Sequence, residues 1–269
     1  MTDLTGRQTL AVILVAELRR HLGTRRAGVA LALAGALGLL SAVGVFALAR
    51  AGDDTLGSAG FAVQLGLELA AGAACLVLSL AVLSAVTGET GDGTVLVGLL
   101  LVPDRRRLFL ARALVWPVLG GGLVLGLAPL VMLLGVAAQL PGAVDVPSFL
   151  LGVAVATVAV ALVMALSFAA GTAIRRGAPA MAVAVGSLLV LPLAVGVFQV
   201  VGPEGLRPAL AALLAALPGV AALKALSVSS TGTQGWTPVV EGLLVLGAWV
   251  AATGLVAVSR FRQEGVTAP

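Results

Sequence analysis

Six long apolar segments, joined by short polar connections, constrain this chain more than any other feature of its sequence. A helix needs about 20 residues to cross the ~30 Å hydrocarbon layer of a membrane, and every one of these segments reaches that length. The runs are too long for barrel strands and lack their alternation, and backbone polar groups in lipid must be satisfied internally. We therefore expect six transmembrane helices, at residues 27–49, 61–87, 113–138, 149–174, 179–201 and 238–259.

The composition supports an all-α integral membrane protein. Hydrophobic residues make up 60% of the chain and charged residues 10%, whereas about 25% of a typical soluble domain is charged. The sequence pI of about 10.9 is compatible with nucleic-acid binding, but the arginines are dispersed between the spans and form no binding patch. We therefore expect a lipid environment and no nucleic-acid partner. The single cysteine, Cys75, excludes an intramolecular disulfide and a cysteine metal site.

Basic residues predict how the chain is oriented. The 269-residue chain has 16 lysines and arginines, and the six predicted spans place 13 of them on the side that holds both termini. By the positive-inside rule this side is cytoplasmic. The sequence thus predicts a multi-pass protein of the plasma membrane, in three parts: a cytoplasmic N-terminus (residues 1–26), a six-helix domain (residues 27–259) and a cytoplasmic tail (residues 260–269). A strong bias to Ala, Gly, Val and Arg hints at a GC-rich bacterial genome.

Two segments outside the spans also have an apolar helical pattern. Residues 4–22 combine an apolar run with flanking charges, which predicts an interfacial helix; the alternative is a simple extension of the first span. Residues 207–219, bounded by Pro208 and Pro218, are too short to cross the membrane. They predict a re-entrant or surface-lying helix on the outer side, between spans five and six.

The connection between spans two and three gathers an unusual amount of charge around a short apolar run. Glycines end the second span, Thr94 can cap a new helix, and Pro103 stops it, so residues 95–102 predict about two helical turns. An apolar surface of this kind on the cytoplasmic side needs a partner protein or the membrane interface to cover it. The alternative is an interfacial turn with ordinary arginine anchors.

This stretch resembles the permeases of the ABC type-2 exporter family. In that family the second span runs into a glutamate, then Gly-Thr, a leucine-rich turn, and a proline followed by basic residues. The matching positions here are Glu89, Gly93, Thr94, Leu99, Leu100, Pro103, Arg105 and Arg106. Gly91 and Asp92 stand where bulkier, often basic residues are usual. The resemblance extends to an amphipathic elbow helix before span one, here residues 16–26 with Glu17, Arg19 and Arg20.

The resemblance implies a transport subunit that is not itself an enzyme. The leucine-rich turn would be a coupling helix that docks on a separate ABC ATPase, and a second permease copy, identical or related, would complete the pathway. A P-loop needs a lysine after a glycine, whereas the only lysine, Lys224, follows Leu223. ATP and Mg²⁺ would therefore be bound by the partner. The expected activity is outward movement of an amphiphilic or hydrophobic substrate by alternating access.

Glu68 is the one ionisable residue well inside a predicted span. An ionised carboxylate there costs at least ~2.5 kcal/mol unless it faces the bundle interior. Gln64 lies one turn earlier on the same face. The pair predicts either a substrate contact in the pathway or a hydrogen bond that fixes span two to a neighbour.

Two other function classes compete with an ABC permease. A secondary transporter or channel could use Glu68 for proton coupling, without any ATPase. An intramembrane enzyme would need a catalytic set within the spans, but the only histidine, His21, lies outside them. The sequence therefore predicts no catalytic or metal-ligating residues.

Overall fold

The computed structural model describes residues 9–51, 58–91, 104–174, 176–201, 204–230 and 235–263, and these residues form helices and no strand. We number the α-helices in chain order. They are α1 (Leu10–Leu22), α2 (Arg25–Arg50), α3 (Ala59–Gly91), α4 (Arg105–Ala137), α5 (Val146–Ile174), α6 (Gly177–Val185), α7 (Leu191–Val201), α8 (Arg207–Ala216), α9 (Pro218–Leu226) and α10 (Thr237–Gln263).

Six helices are long and apolar enough to cross a membrane, which confirms the predicted architecture of an all-helical, multi-pass membrane protein. They are α2, α3, α4, α5, the continuous segment Gly177–Phe198 within α6 and α7, and α10. With six crossings, α2 begins and α10 ends at the same end of the bundle. We call this the α1 end, because α1 lies there. We call the opposite end the hairpin end, because the helical hairpin formed by α8 and α9 lies there.

The spans are buried unequally within the chain. The helices α3 and α5 form the centre, since α3 packs on α2, α4 and α5, and α5 packs on α4 and α10 as well. Half of the apolar stretch of α5 is buried, against 6% for the span formed by α6 and α7. The fifth span therefore lies at the edge of the bundle and turns most of its surface outward.

Several helix boundaries differ from those that the sequence predicts. Gly88 was expected to break the second span, but α3 continues to Gly91. One glycine in a helix costs only about 1 kcal/mol relative to alanine, which the preceding long apolar helix tolerates. Pro117 and Pro129 likewise lie inside the uninterrupted helix α4. Asp104 precedes α4 and caps it, accepting hydrogen bonds from the backbone nitrogens of Arg106 and Arg107.

A π-helical turn, Gly186–Val190, interrupts the fifth span between α6 and α7. Pro192 follows it, and a proline has no N–H to donate to the carbonyl four residues earlier, that of Leu188. Gly219 of α9 packs closely against the backbone of this same residue, and a side chain at position 219 would collide with it. The π-turn thus provides a surface against which α9 packs.

The connection between spans five and six forms a bent helical pair, α8 and α9, inclined at 75° to each other. We call it the outer hairpin, after the side of the membrane on which the sequence predicts it. The predicted helix at residues 207–219 is present as α8, but Pro218 begins a second helix and does not end the segment. This agrees with the preference for proline in the first turn of a helix. The helix α9 packs against α10 and α5, so the outer hairpin is part of the bundle.

Part of the sequence-based prediction lies outside the described residues. The expected short helix at residues 95–102 falls there, together with Gly93, Thr94, Leu99, Leu100 and Pro103. The flanking helix ends are described: α3 reaches Gly91, and α4 begins at Arg105. Glu89 and Arg106 therefore have known surroundings.

Candidate functional site

A network of four charged side chains joins three helices at the α1 end. Glu17 and Arg20 come from α1, Glu89 from the last turn of α3, and Arg112 from α4. The guanidinium of Arg112 contacts both carboxylates, with Nε 3.1 Å from Oε1 of Glu17 and Nη1 3.4 Å from Oε2 of Glu89. Two carboxylates and two guanidiniums thus alternate around a closed, formally neutral circuit, which we call the ion-pair network.

The second arginine closes this circuit from the opposite side. Nη1 of Arg20 lies 3.2 Å from Oε2 of Glu17, and its Nη2 donates to Oε1 of Glu89. Each carboxylate therefore accepts from both guanidiniums, an arrangement of charge-assisted hydrogen bonds that exceeds an ordinary neutral bond in strength. Because each charged group is paired with an opposite charge in the network, the charges can be buried without leaving one of them unpaired.

The network is buried on one side and accessible on the other. Glu17 is 7% exposed and Arg112 is 6% exposed, whereas the side chain of Arg20 is 41% exposed. Exposed ion pairs contribute about 0–1 kcal/mol, but breaking a buried pair by removing one partner costs about 3–5 kcal/mol. The Glu17–Arg112 pair is therefore the part of the network on which the position of α1 depends.

Apolar and aromatic contacts complete the attachment of α1. Ile13 packs with Leu108 and Ala111 of α4 in a small separate core. The ring of His21 meets that of Trp116 edge-on, with centroids 5.4 Å apart, and its Nδ1 lies 3.0 Å from the carbonyl oxygen of Glu17. His21 is half-buried between α1 and α4. The helix is held by both polar and apolar contacts.

Only some of the predicted site residues at this end come together. Glu17 and Arg20 of the predicted elbow helix meet Glu89 of the predicted docking motif. Arg19 and Arg106 are exposed, and neither makes an ion pair with another described residue. Arg112 was not predicted as a site residue. The predicted third span begins at residue 113 and so leaves Arg112 outside it. In the structure Arg112 lies about two turns inside α4, where a buried arginine needs a partner.

Glu68 lies at the other end of the molecule and is hydrogen-bonded. Its two carboxylate oxygens accept bonds from Ser229, one from the backbone nitrogen and one, at 2.9 Å, from Oγ. Ser229 belongs to the 3₁₀ turn Val228–Ser230, which follows α9. Gln64, one turn away, is buried with its amide against Gly152 of α5. Glu68 thus ties the central helix α3 to the end of the outer hairpin.

Two further polar contacts hold the outer hairpin, and neither was predicted. Nε1 of Trp249 donates to the carbonyl oxygen of Ala216 at 2.8 Å, which joins α10 to the C-terminal end of α8. Nζ of Lys224 lies 3.1 Å from Oε2 of Glu241, between α9 and α10. Nothing in the local sequence around Trp249 predicts this hydrogen bond.

The described residues contain no group of three histidine, cysteine, aspartate or glutamate side chains that could hold a metal ion. What the ion-pair network can do chemically is to fix helices to one another, because its donors and acceptors are satisfied internally. The chain matches no protein-family model, and no curated protein sequence is significantly similar to it.

Proposed function

We propose that this chain is the permease subunit of an ATP-driven ABC exporter. In this proposal α1 is the elbow helix, residues 92–103 contain the coupling helix, and the α1 end faces the cytoplasm. A separate ABC ATPase binds the coupling helix and supplies ATP and Mg²⁺. A second permease copy completes the pathway for an amphiphilic or hydrophobic substrate.

The observation that carries the proposal is the ion-pair network. It joins α1 to α3 and α4, which are the two helices that flank residues 92–103. A force applied to that segment would therefore reach α1, α3 and α4 as one rigid unit. Rigid-body motion of packed helices is how a bundle alternates between two access states. A transport subunit moved by an external motor requires a connection of this kind.

The position of the fifth span is a second support. The span formed by α6 and α7 leaves most of its apolar surface uncovered within the chain. In the described part of the chain, buried side chains fill the space around α3 and α5 and leave no wide pathway there. A pathway between two copies of the bundle fits this arrangement.

The experiment purifies the chain with its partner from native membranes and measures ATPase activity and substrate-coupled transport. An aspartate pair at the predicted turn, Leu99→Asp with Leu100→Asp, should abolish co-purification of the ATPase while the permease remains folded. Glu89→Gln should retain the partner but lower transport per ATP several-fold. Glu241→Gln, a matched exposed glutamate at the hairpin end, should change neither.

A secondary transporter or channel is the alternative, and the same experiment separates the two. Such a protein would carry substrate in proteoliposomes with no ATPase present. Its activity would depend on Glu68, whose carboxylate would first have to leave Ser229. Transport by the isolated chain that Glu68→Gln abolishes would reject the ABC proposal in favour of a proton-coupled carrier.

A further inference from the structure

A cavity of about 170 Å³ lies beside the ion-pair network, between α1, α2, α3 and α4. Its lining changes character with depth along α3, from Glu89 near the helix end through Ser84 to Ala81, two turns further in. The other walls also change from polar to apolar with depth: Arg26 and Thr24 lie at the start of α2, and Trp116 lies further inside, on α4. The cavity is thus polar and basic at the membrane surface and apolar below it.

The charges on the cavity wall leave an excess of positive charge. Glu89 is held by Arg20 and Arg112, so the network contributes no net charge. Arg26 also lines the cavity, is exposed, and has no ion-pair partner among the described residues. Thr24, which caps α2, also lines the cavity, so the N-terminus of that helix lies beside it. Helix N-termini favour anions.

The indole of Trp116 offers a further unused donor. Trp116 is 2% exposed and lines the cavity, yet its N–H has no hydrogen-bond partner in the described part of the chain. Trp116 and Arg26 thus place two donor groups in the wall of the same cavity.

An apolar stripe leads away from the cavity into the membrane. On α2, Val29 and Leu33 are exposed and lie three and seven residues beyond Arg26, which places them on the same helix face. On α3, Leu80 and Leu76 are exposed and lie four and eight residues from Ser84. A ligand with an anionic head in the cavity could therefore lay hydrocarbon chains along both helices.

We propose that this cavity binds a phosphate group, supplied in the membrane by the headgroup of an anionic phospholipid. Basic pockets between transmembrane helices at the membrane surface suit such headgroups. The site does not depend on export or on an ATPase, so it can be tested in the reconstituted chain alone. A bound headgroup would contact Arg26 of α2 and lie against Arg20 of α1.

The test measures quenching of Trp116 fluorescence by brominated lipids. Trp236→Phe and Trp249→Phe leave Trp116 as the only tryptophan. The protein is reconstituted into phosphatidylcholine vesicles that contain equal mole fractions of either dibrominated phosphatidylglycerol or dibrominated phosphatidylcholine. Dibrominated phosphatidylglycerol should quench Trp116 fluorescence more strongly than dibrominated phosphatidylcholine. Arg26→Gln should lower this preference about five-fold, which corresponds to ~1 kcal/mol for one arginine near an anionic surface.

The matched control is Arg19→Gln, an exposed arginine of α1 that does not line the cavity; it should leave the preference unchanged. Added inorganic phosphate that removes the preference in the parent protein would also support the site and would identify free phosphate as an occupant. No preference in the parent protein would overturn the proposal. So would an equal loss in both arginine variants, because that result describes a general basic surface.

Discussion

The two ends of the molecule are fastened in opposite ways. At the α1 end, four full charges from three helices satisfy one another in a closed circuit. At the hairpin end, Glu68 accepts two hydrogen bonds from Ser229. Two single polar contacts and close backbone packing complete the attachment there. Removing one partner at the α1 end leaves a buried charge without one of its ion pairs. Removing one hydrogen bond at the hairpin end leaves Glu68 with another donor. We therefore expect local opening to cost more free energy at the α1 end than at the hairpin end.

The largest expected effect comes from breaking the buried pair at the α1 end. Arg112→Met would leave Glu17 buried without its main partner, and we expect the free energy of unfolding to fall by about 3–5 kcal/mol. The measurement is denaturant unfolding of the purified chain in detergent. Arg106→Met, an exposed arginine of the same helix, should change stability by less than about 0.5 kcal/mol. Equal effects from the two variants would contradict the comparison.

The next effect tests close packing at the hairpin end. A Cβ at Gly242 of α10 would lie 2.5 Å from the carbonyl oxygen of Ala221 and 2.5 Å from the backbone nitrogen of Ala225. Gly242→Ala should therefore force α9 away from α10, at a cost of about 1–3 kcal/mol. Gly247→Ala on the same helix, where an added Cβ meets nothing within 4 Å, should be neutral or slightly stabilising.

Hydrogen exchange would show whether the Gly242→Ala damage is local. Amides of α9 should lose protection while those of α4 keep theirs, because α9 packs on α10 and α5 at the hairpin end. Loss of protection in both helices would mean that the two ends unfold as one unit, which is the opposite of the difference inferred above.

The smallest expected effect comes from Ser229→Ala. This change removes the hydroxyl that donates to Glu68 but keeps the backbone N–H that also donates to it. One such bond contributes about 1 kcal/mol, and we expect a loss of that size at most. Faster exchange of amides in residues 227–230, with unchanged global unfolding, is the expected signature. A loss as large as that of Arg112→Met would show that the outer turn is as critical as the ion-pair network.

Hydropathy predicted the six spans because each is a local property of about 20 consecutive residues. The pairings that fasten the two ends are not local. Glu17 and Arg112 are 95 positions apart, and Glu68 and Ser229 are 161 apart. No local sequence periodicity predicts contacts between residues so far apart in the chain. What the sequence could offer was a requirement, since a charge inside a span needs a partner. That requirement pointed to Glu68, whereas Arg112 lay outside the predicted span that begins at residue 113.

The outer hairpin shows another limit of local patterns. Pro218 marks a boundary in the sequence equally well whether a helix ends before it or begins at it. The choice depends on α9 having surfaces to pack against, which are α10 and the backbone of Leu188. Such features emerge only when distant segments meet.

The spacing of Glu17 and Arg112 has a consequence for biosynthesis. At roughly 5–20 residues per second, a ribosome needs several seconds to deliver the arginine after the glutamate has left the exit tunnel. During that interval Glu17 has only Arg20 of its own helix as an arginine partner, because Arg112 has not yet been made. The docking of α1 must therefore wait for the third span to insert, which makes closure of the circuit a natural checkpoint for assembly of the first half of the protein.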